Sequence, residues 1–373
     1  MSRPLRLVQV GAGAMGRAWL DAIARCPDAE LVGLVDLDAS VAEAALAERG
    51  LELPIGADAV EVAGRTGADA VVDVTVPGAH LPVNLGALRA GLPVLCEKPV
   101  TPTVRDALIL AAAAEVSGKL LMVSQSRRYY AALAAFRSRL TDLGSIDLVR
   151  TEFMKGPHFG GFREEMDSPL LVDMAIHGFD VARYLLGTAP VSVSCQSFNP
   201  SWSWFRGDAS ASAIFEFEHE VRFQYIGSWV ASGLETSWNG SWRVGGEAGT
   251  ATWDGEAEVV VQRGKDEPER TAVPPGPAES IDGSLADFVA AVRSGGSPSS
   301  GEIHENILTL AMVEAAVRSA ATGERVEIAR LVDEAWSEAL ATDLADDHRR
   351  AMEGWVSAAE HLGLRRSAEA AAV

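Results

Sequence analysis

A chain of 373 residues, 48% hydrophobic and 23% charged, is long enough for two domains with separate cores, and so ordinary a globular composition excludes a disordered chain. Its formal charge of −20 argues against nucleic acid or an anionic membrane surface as the main partner. The three cysteines, Cys26, Cys96 and Cys195, form no CxxC pair, so neither a disulfide framework nor a zinc site is expected and no metal is called for.

The opening "MSRPLRLVQV" lacks the long apolar segment of a signal peptide, and no apolar run approaches the roughly 20 residues of a membrane span. A cytoplasmic protein without a membrane partner is expected. From 5 to 125, short β-branched runs alternate with Ala-rich helical stretches: "LRLVQV", "AELVGLVD", "ADAVVDVTV", "LPVLCEKP" and "KLLMVSQS" are the strands. That rhythm predicts an α/β domain with a parallel, doubly wound sheet. The first strand-to-helix turn, "GAGAMG", places Gly11, Gly13 and Gly16 in G-x-G-x-x-G spacing, with Ala14 and Met15 opening the helix. Asp36 ends the second strand, where a carboxylate accepts hydrogen bonds from an adenosine ribose and repels a 2′-phosphate. Its neighbours Leu37 and Asp38 supply no cation. NAD is therefore the expected cofactor, and NADP the less favoured one.

Farther on, "LCEKPV" puts Lys98 at the end of the fifth strand, near the carboxyl edge where ligands of such sheets bind, and Pro99 biases it towards an extended backbone. From about 146 the texture changes to longer alternating strands, "DLVRTEFM", "SVSCQSF", "SASAIFEFE", "VRFQYIGSWV", "SWRVGG", "GTATWD" and "AEVVVQ", which predict a largely antiparallel sheet. One helix interrupts the series. It is "DSPLLVDMAIHGFDVARYLLG", with Ser168 as N-cap, Pro169 at the first helical position and Gly187 past its end. Asp173, His177, Asp180 and Tyr184 share a narrow arc of a helix that is otherwise apolar apart from Arg183, so the stripe must face something polar in the interior or in a cleft. Residues 266–280 are Pro-rich and read as a loop that cannot be a central strand. Helices return in "SLADFVAAVRSG" and "HENILTLAMVEAAVRSAATG", the tail from 329 reads as two more, and the Ala-rich end "SAEAAAV" is expected to be disordered.

"GAGAMG", Asp36, "TVPGAH" (75–80), "CEKP" (96–99) and "DMAIH" (173–177) run in an order that resembles the Gfo/Idh/MocA oxidoreductases, over about 5–328. The resemblance implies an N-terminal Rossmann NAD-binding domain (1–125), a second α/β domain for substrate binding and oligomerisation (126–328) carrying the large, mostly antiparallel sheet, and a C-terminal helical extension (329–373) that covers a neighbouring subunit or its own nucleotide domain. It implies that Lys98, Asp173 and His177 form the catalytic group, and that Thr75, Pro77, His80, Glu97, Lys98 and Gln125 lie at the cofactor. It further implies that Arg128 and Tyr130 lie near the site entrance. Where many relatives carry a Gly pair before the catalytic helix and Gly at position 175, this chain has Ser168-Pro169 and Ala175.

Oxidising a secondary alcohol requires a base near neutral pKa within reach of the hydroxyl proton, a role suited to His177, while Lys98 suits the carbinol oxygen. Asp173 would orient substrate or tune His177, and Asp180 would fix the His177 tautomer. Lys155 and His158, in the loop after the first sheet strand, are candidate hydroxyl-binding groups. The sheet, carrying Trp202, Trp204, Trp229, Trp238, Trp242 and Trp253, should floor the substrate pocket. Its arginines Arg206, Arg222 and Arg243 are scattered, which favours a neutral sugar, cyclitol or polyol over a phosphorylated one. The expected activity is hydride transfer from that substrate to NAD. The alternatives are a glycoside-cleaving relative that oxidises transiently and a non-catalytic NAD sensor. An exposed sheet face would pair copies into a homodimer or homotetramer.

Overall fold

The computed structural model describes residues 3–364; the Ala-rich end lies outside the described residues. The β-branched runs of the first 125 residues form six parallel strands, β1 (Leu5–Val10), β2 (Ala29–Val35), β3 (Ile55–Gly56), β4 (Ala70–Asp73), β5 (Val94–Cys96) and β6 (Leu121–Val123), in the order β3-β2-β1-β4-β5-β6. Every residue of β4, β5 and β6 is buried. This explains why these strands read as unbroken apolar runs rather than alternating ones. The chain reverses direction across the sheet between β1 and β4, the place where such sheets open a ligand crevice at their carboxyl ends. Strand β3, two residues long, has no pattern that a sequence reading could detect.

The second sheet has nine strands: β7 (Ile146–Met154), β8 (Pro190–Phe198), β9 (Ser210–Phe217), β10 (Arg222–Ser228), β11 (Ser241–Gly246), β12 (Gly249–Trp253), β13 (Glu258–Arg263), β14 (Glu269–Ala272) and β15 (Val326–Glu327). Their order is β14-β13-β12-β11-β7-β10-β9-β8-β15, and β7 with β10 is the one parallel pair among these described strands. Strand β14 falls inside the Pro-rich stretch that was expected to be a loop. It is an exposed edge strand whose four residues contain no proline, which is how pairing and proline-rich sequence coexist.

One face of this sheet is closed by the helix that ends at Gly187. Phe179 stands edge-on to Phe215 at 4.7 Å and to Tyr225 at 5.3 Å, and Phe223 stacks on Trp242 at 6.0 Å. Each ring enclosed this way contributes about 1.5–3 kcal/mol over an exposed one. The helix is not uniform. It starts at Pro169 as expected, but Leu170–Ala175 is a π-helix and only Ile176–Leu186 is α-helical. The wider π turn alters the angular step just before His177, so the narrow Asp173–Tyr184 stripe of an ideal helix does not hold.

The chain divides into two compact units. Among the described residues, the first comprises 3–126, 278–307 and 335–356, and the second 127–277, 308–334 and 357–364. The tail is therefore shared rather than separate, and its described part forms three helices, Ile328–Leu340, Asp346–Glu353 and Ala358–His361, where two were expected. Asp346–Glu353 packs on the nucleotide unit's own Val104–Ser117 helix, and the Trp355 indole donates to Glu115 at 3.2 Å. No helix among the described residues is long and apolar enough to cross a membrane.

Candidate active site

In the first unit, the helix Ala14–Arg25 has Gly13 as its N-cap and no side-chain cap, which leaves the N–H groups of its first turn facing the carboxyl edge of β1. A Cβ on Gly11, whose φ is +96°, would lie 2.5 Å from the Val74 carbonyl oxygen, and one on Gly16 would lie 2.3 Å from that of Gly11. A Cβ on Gly13 would meet nothing within 4 Å beyond its own helix and chain neighbours, so a pyrophosphate has room at an uncapped helix N-terminus. Gln9, a polar residue in an apolar strand, donates to the carbonyls of Gly11 and Gly16 at 2.8 and 2.9 Å and fixes the loop from below. Sequence reasoning missed it, although a buried glutamine two residues before the glycines was the signal. Asp36 accepts from the N–H groups of Ala12 and Asp38 at 2.9 and 3.0 Å and has lone pairs left for a ribose diol.

Behind this rim lies a buried polar cluster. His80 is fully enclosed, its ring nitrogens 2.9 Å from the Pro99 carbonyl oxygen and 3.0 Å from that of Thr75. It ties the TVPG turn to the EKP turn. His80, expected near the cofactor, supports those two turns from beneath. Glu97, also expected at the cofactor, accepts from the Trp19 indole at 2.9 Å and from the Lys98 N–H at 3.0 Å, and burial pushes its carboxyl up against the pull of Lys98 and these donors. Asp73 accepts from the N–H and hydroxyl of Thr75 at 3.1 and 2.7 Å, and burial likewise raises its pKa. Lys98, Thr75 and Pro77 remain partly exposed at the carboxyl edge, as does Met15. Gln125 is buried with its side-chain amide unpartnered among the described residues, an amide donor and acceptor of the kind a carboxamide would satisfy. These features fit NAD: room for a diphosphate, a fixed acid for a ribose, and an orphaned amide.

In the second unit, Met174, His177 and Gly178 of the helix face Thr151 and Phe153 of β7, Tyr225 of β10 and Trp242 of β11 across a cavity that Arg127 and the Trp238–Gly240 loop complete. His177 thus lines the cavity whose floor is the sheet. Asp173 does not. It accepts from Arg163 Nε at 2.6 Å, a partner on the 156–167 loop that no sequence pattern singled out. Of the tryptophans, Trp238 and Trp242 line the cavity, Trp229 and Trp253 are core, and Trp202 and Trp204 donate to the carbonyls of Val230 and Pro157.

Three further expectations concern residues that have partners of their own. Arg128 was expected near the site entrance. Its Nε and one Nη each donate to Asp180 at 2.7 Å, a buried bidentate pair. Asp180 therefore does not fix the His177 tautomer, because Arg128 and the Thr309 hydroxyl, at 3.0 Å, occupy its oxygens. Lys155 pairs with Glu235 at 2.9 Å and lies over the Trp238 ring at 5.3 Å, while His158 is exposed and stacks on Trp204 at 3.8 Å. Neither lines the cavity around His177.

Residues 5–125 match the family model described as "Oxidoreductase family, NAD-binding Rossmann fold", and 139–252 match the GFO/IDH/MocA C-terminal domain. The chain belongs to the GFO/IDH/MocA oxidoreductase family. Among relatives of this GFO/IDH/MocA protein, the 1,5-anhydro-D-fructose reductase of Ensifer adhaerens is 26% identical over 86% of this chain and 97% of its own. The D-apiose dehydrogenase of Paraburkholderia graminis is 27% identical over 87% and 90%. An inositol 2-dehydrogenase of Corynebacterium glutamicum is 36% identical over 52% and 57%. An oxidoreductase from Agrobacterium radiobacter, solved with NAD+, L-tartaric acid and magnesium, shares the fold with a TM-score of 0.81 at 22% identity, over 88% of this chain and 99% of that one. The protein is an NAD(P)-dependent oxidoreductase with the family's NAD-binding Rossmann fold.

Proposed function

We propose that this enzyme oxidises a secondary hydroxyl of a sugar, cyclitol or related polyol, with Lys98, Asp173 and His177 as its catalytic group. The observation that carries the reading is His177 on the wall of a cavity floored by the sheet, beside Trp238, whose side chain is 44% exposed. Aromatic faces of this kind suit sugar C–H surfaces. NAD, bound on the Gly11–Gly16 loop, supplies the hydride acceptor. His177 takes the hydroxyl proton at a ring nitrogen, which raises electron density on the carbinol oxygen as the C–H bond weakens. The Lys98 ammonium holds that oxygen and stabilises its developing negative charge. Asp173, held by Arg163 outside that cavity, tunes His177 one turn farther along the helix.

The test is NADH formation with a panel of sugars, cyclitols and polyols, followed by His177→Ala and Lys98→Ala. Each variant should lose about 10²-fold or more in turnover while binding NAD normally. Near-normal turnover by His177→Ala would remove it as the base.

A further inference from the structure

Arg163 stands in a loop crowded with acids, yet its carboxylate partner lies outside that loop. Glu164 accepts from the Gly160 N–H at 2.8 Å and Asp167 pairs with Arg206 at 2.8 Å, whereas Arg163 Nε donates to Asp173 Oδ2 at 2.6 Å. Such a pair on an open surface contributes about 0–1 kcal/mol and fixes little. This one is set differently. The Asp173 side chain is only 15% exposed, and it sits in the π turn four residues before His177.

The guanidinium has its direction imposed by rings. It lies over Phe162 at 4.8 Å and over Phe159 at 5.4 Å, and Phe159 is itself edge-on to the buried Trp229 at 5.3 Å. The loop that carries it is fastened to the segment 206–208. There the N–H groups of Arg206 and Asp208 donate to the carbonyls of Glu164 and Asp167 at 2.8 and 2.9 Å, and Arg206 Nε donates to the Glu165 carbonyl at 2.7 Å. A Cβ on Gly207 would lie 2.1 Å from the Asp167 carbonyl oxygen, so glycine is what permits this approach.

A carboxylate held at one oxygen by a fixed cation cannot turn about its Cβ–Cγ bond, so its second oxygen keeps one direction. An aspartate four residues ahead of an imidazole on one helix favours the protonated ring, by an amount set by how close and how constant its oxygens are. We propose that Arg163 is a positioning residue for His177: the 160–167 loop delivers the guanidinium to Asp173, and the fixed carboxylate then bears on the imidazole that takes the substrate proton. That the imidazole takes this proton rests on the dehydrogenase reading above, whereas the coupling of Arg163 to His177 belongs to the protein without substrate. Arg127 and Tyr225, which line the cavity with His177, are untouched by changes at 163 and 173, so their contributions cancel in a comparison.

The experiment follows the His177 imidazole by NMR over pH, on NAD-loaded protein labelled at its seven histidines, with the resonance assigned by its loss in His177→Ala. Native protein, Asp173→Asn, Arg163→Gln and the double variant form a cycle. Asp173→Asn should lower the His177 midpoint by about half a pH unit or more when Arg163 is present. It should lower it by less than half as much beside Arg163→Gln, and by an intermediate amount beside Arg163→Lys. Should Arg163→Gln fail to fold, Phe162→Leu takes its place, because it removes a supporting ring and keeps both charges. Equal lowering with and without Arg163 would overturn the proposal, as would no lowering in its presence. Turnover is recorded separately with whichever sugar, cyclitol or polyol forms NADH. Arg163→Gln should lose about 10-fold or more there with NAD affinity unchanged, and full turnover by this variant would also overturn the proposal. A coupled cycle in a protein that forms no NADH with any of these compounds would keep the positioning role and remove the dehydrogenase reading.

Discussion

Asp36 has its carboxylate oxygens fixed by the Ala12 and Asp38 N–H groups before any ligand arrives, and next to it Leu37 is 92% exposed with no cation nearby in sequence. A 2′-phosphate would meet a fixed negative charge there. Replacing Asp36 with Ser and Leu37 with Arg should move the preference towards NADP, read as a reversal in relative affinity by calorimetry. Tighter binding of NADP than NAD by the unaltered protein would defeat this account of the site. Legibility at this scale was uneven for a physical reason. Gly11 and Asp36 could be read because their chemistry depends on a spacing from strand to helix, whereas Lys98 and His177 were singled out by a family resemblance. Arg127 and Arg128 could not be told apart, because they are adjacent in the short 3₁₀ turn Ser126–Tyr129 and one goes to the cavity while the other goes to Asp180.

Among the elements, the helix bearing Asp173 and His177 was legible in its ends, which proline and glycine mark, but not in its middle. A π turn arises from how a segment is held by its surroundings, and apolar residues on nearly every side fit either winding. The tail shows a comparable limit: its helices could be read, but not the unit each would join. Part of what holds it is a titrating contact. His304 bonds to Glu115 and Glu302, both at 2.8 Å, and Glu115 also accepts from Trp355 of the tail. Burial alone would lower the His304 pKa, yet the two carboxylates outweigh it and raise it to about 9. Because the folded value lies above the unfolded 6.5, this stabilisation is complete below about pH 6.5 and is lost as pH rises through about 9. The melting temperature should therefore fall between pH 7 and pH 10, and fall less in His304→Asn. Parallel curves for the two proteins would show that the contact does not contribute.

Across the whole molecule, the doubly wound sheet and the second, mostly antiparallel one were legible from a change in hydrophobic period, from unbroken apolar runs to alternation. Alternation also tells which face is outward. Leu148, Ile214 and Ile226 are exposed on β7, β9 and β10, on the face away from Phe223 and Tyr225. We propose that this face joins copies into a homodimer or homotetramer. Sedimentation should find the oligomer in the native protein and a monomer in the double variant Ile214→Lys, Ile226→Lys, and a monomeric native protein would end that proposal.

The central claim is that a secondary alcohol gives its hydride to NAD on this protein, with His177 taking the proton. The most direct measurement is the mass of the nucleotide after turnover of a substrate deuterated at the carbinol carbon, in ordinary water. The account predicts reduced nucleotide carrying one deuterium, formed by the native protein and not by His177→Ala. Reduced nucleotide without deuterium, or equal labelling in the variant, would contradict it.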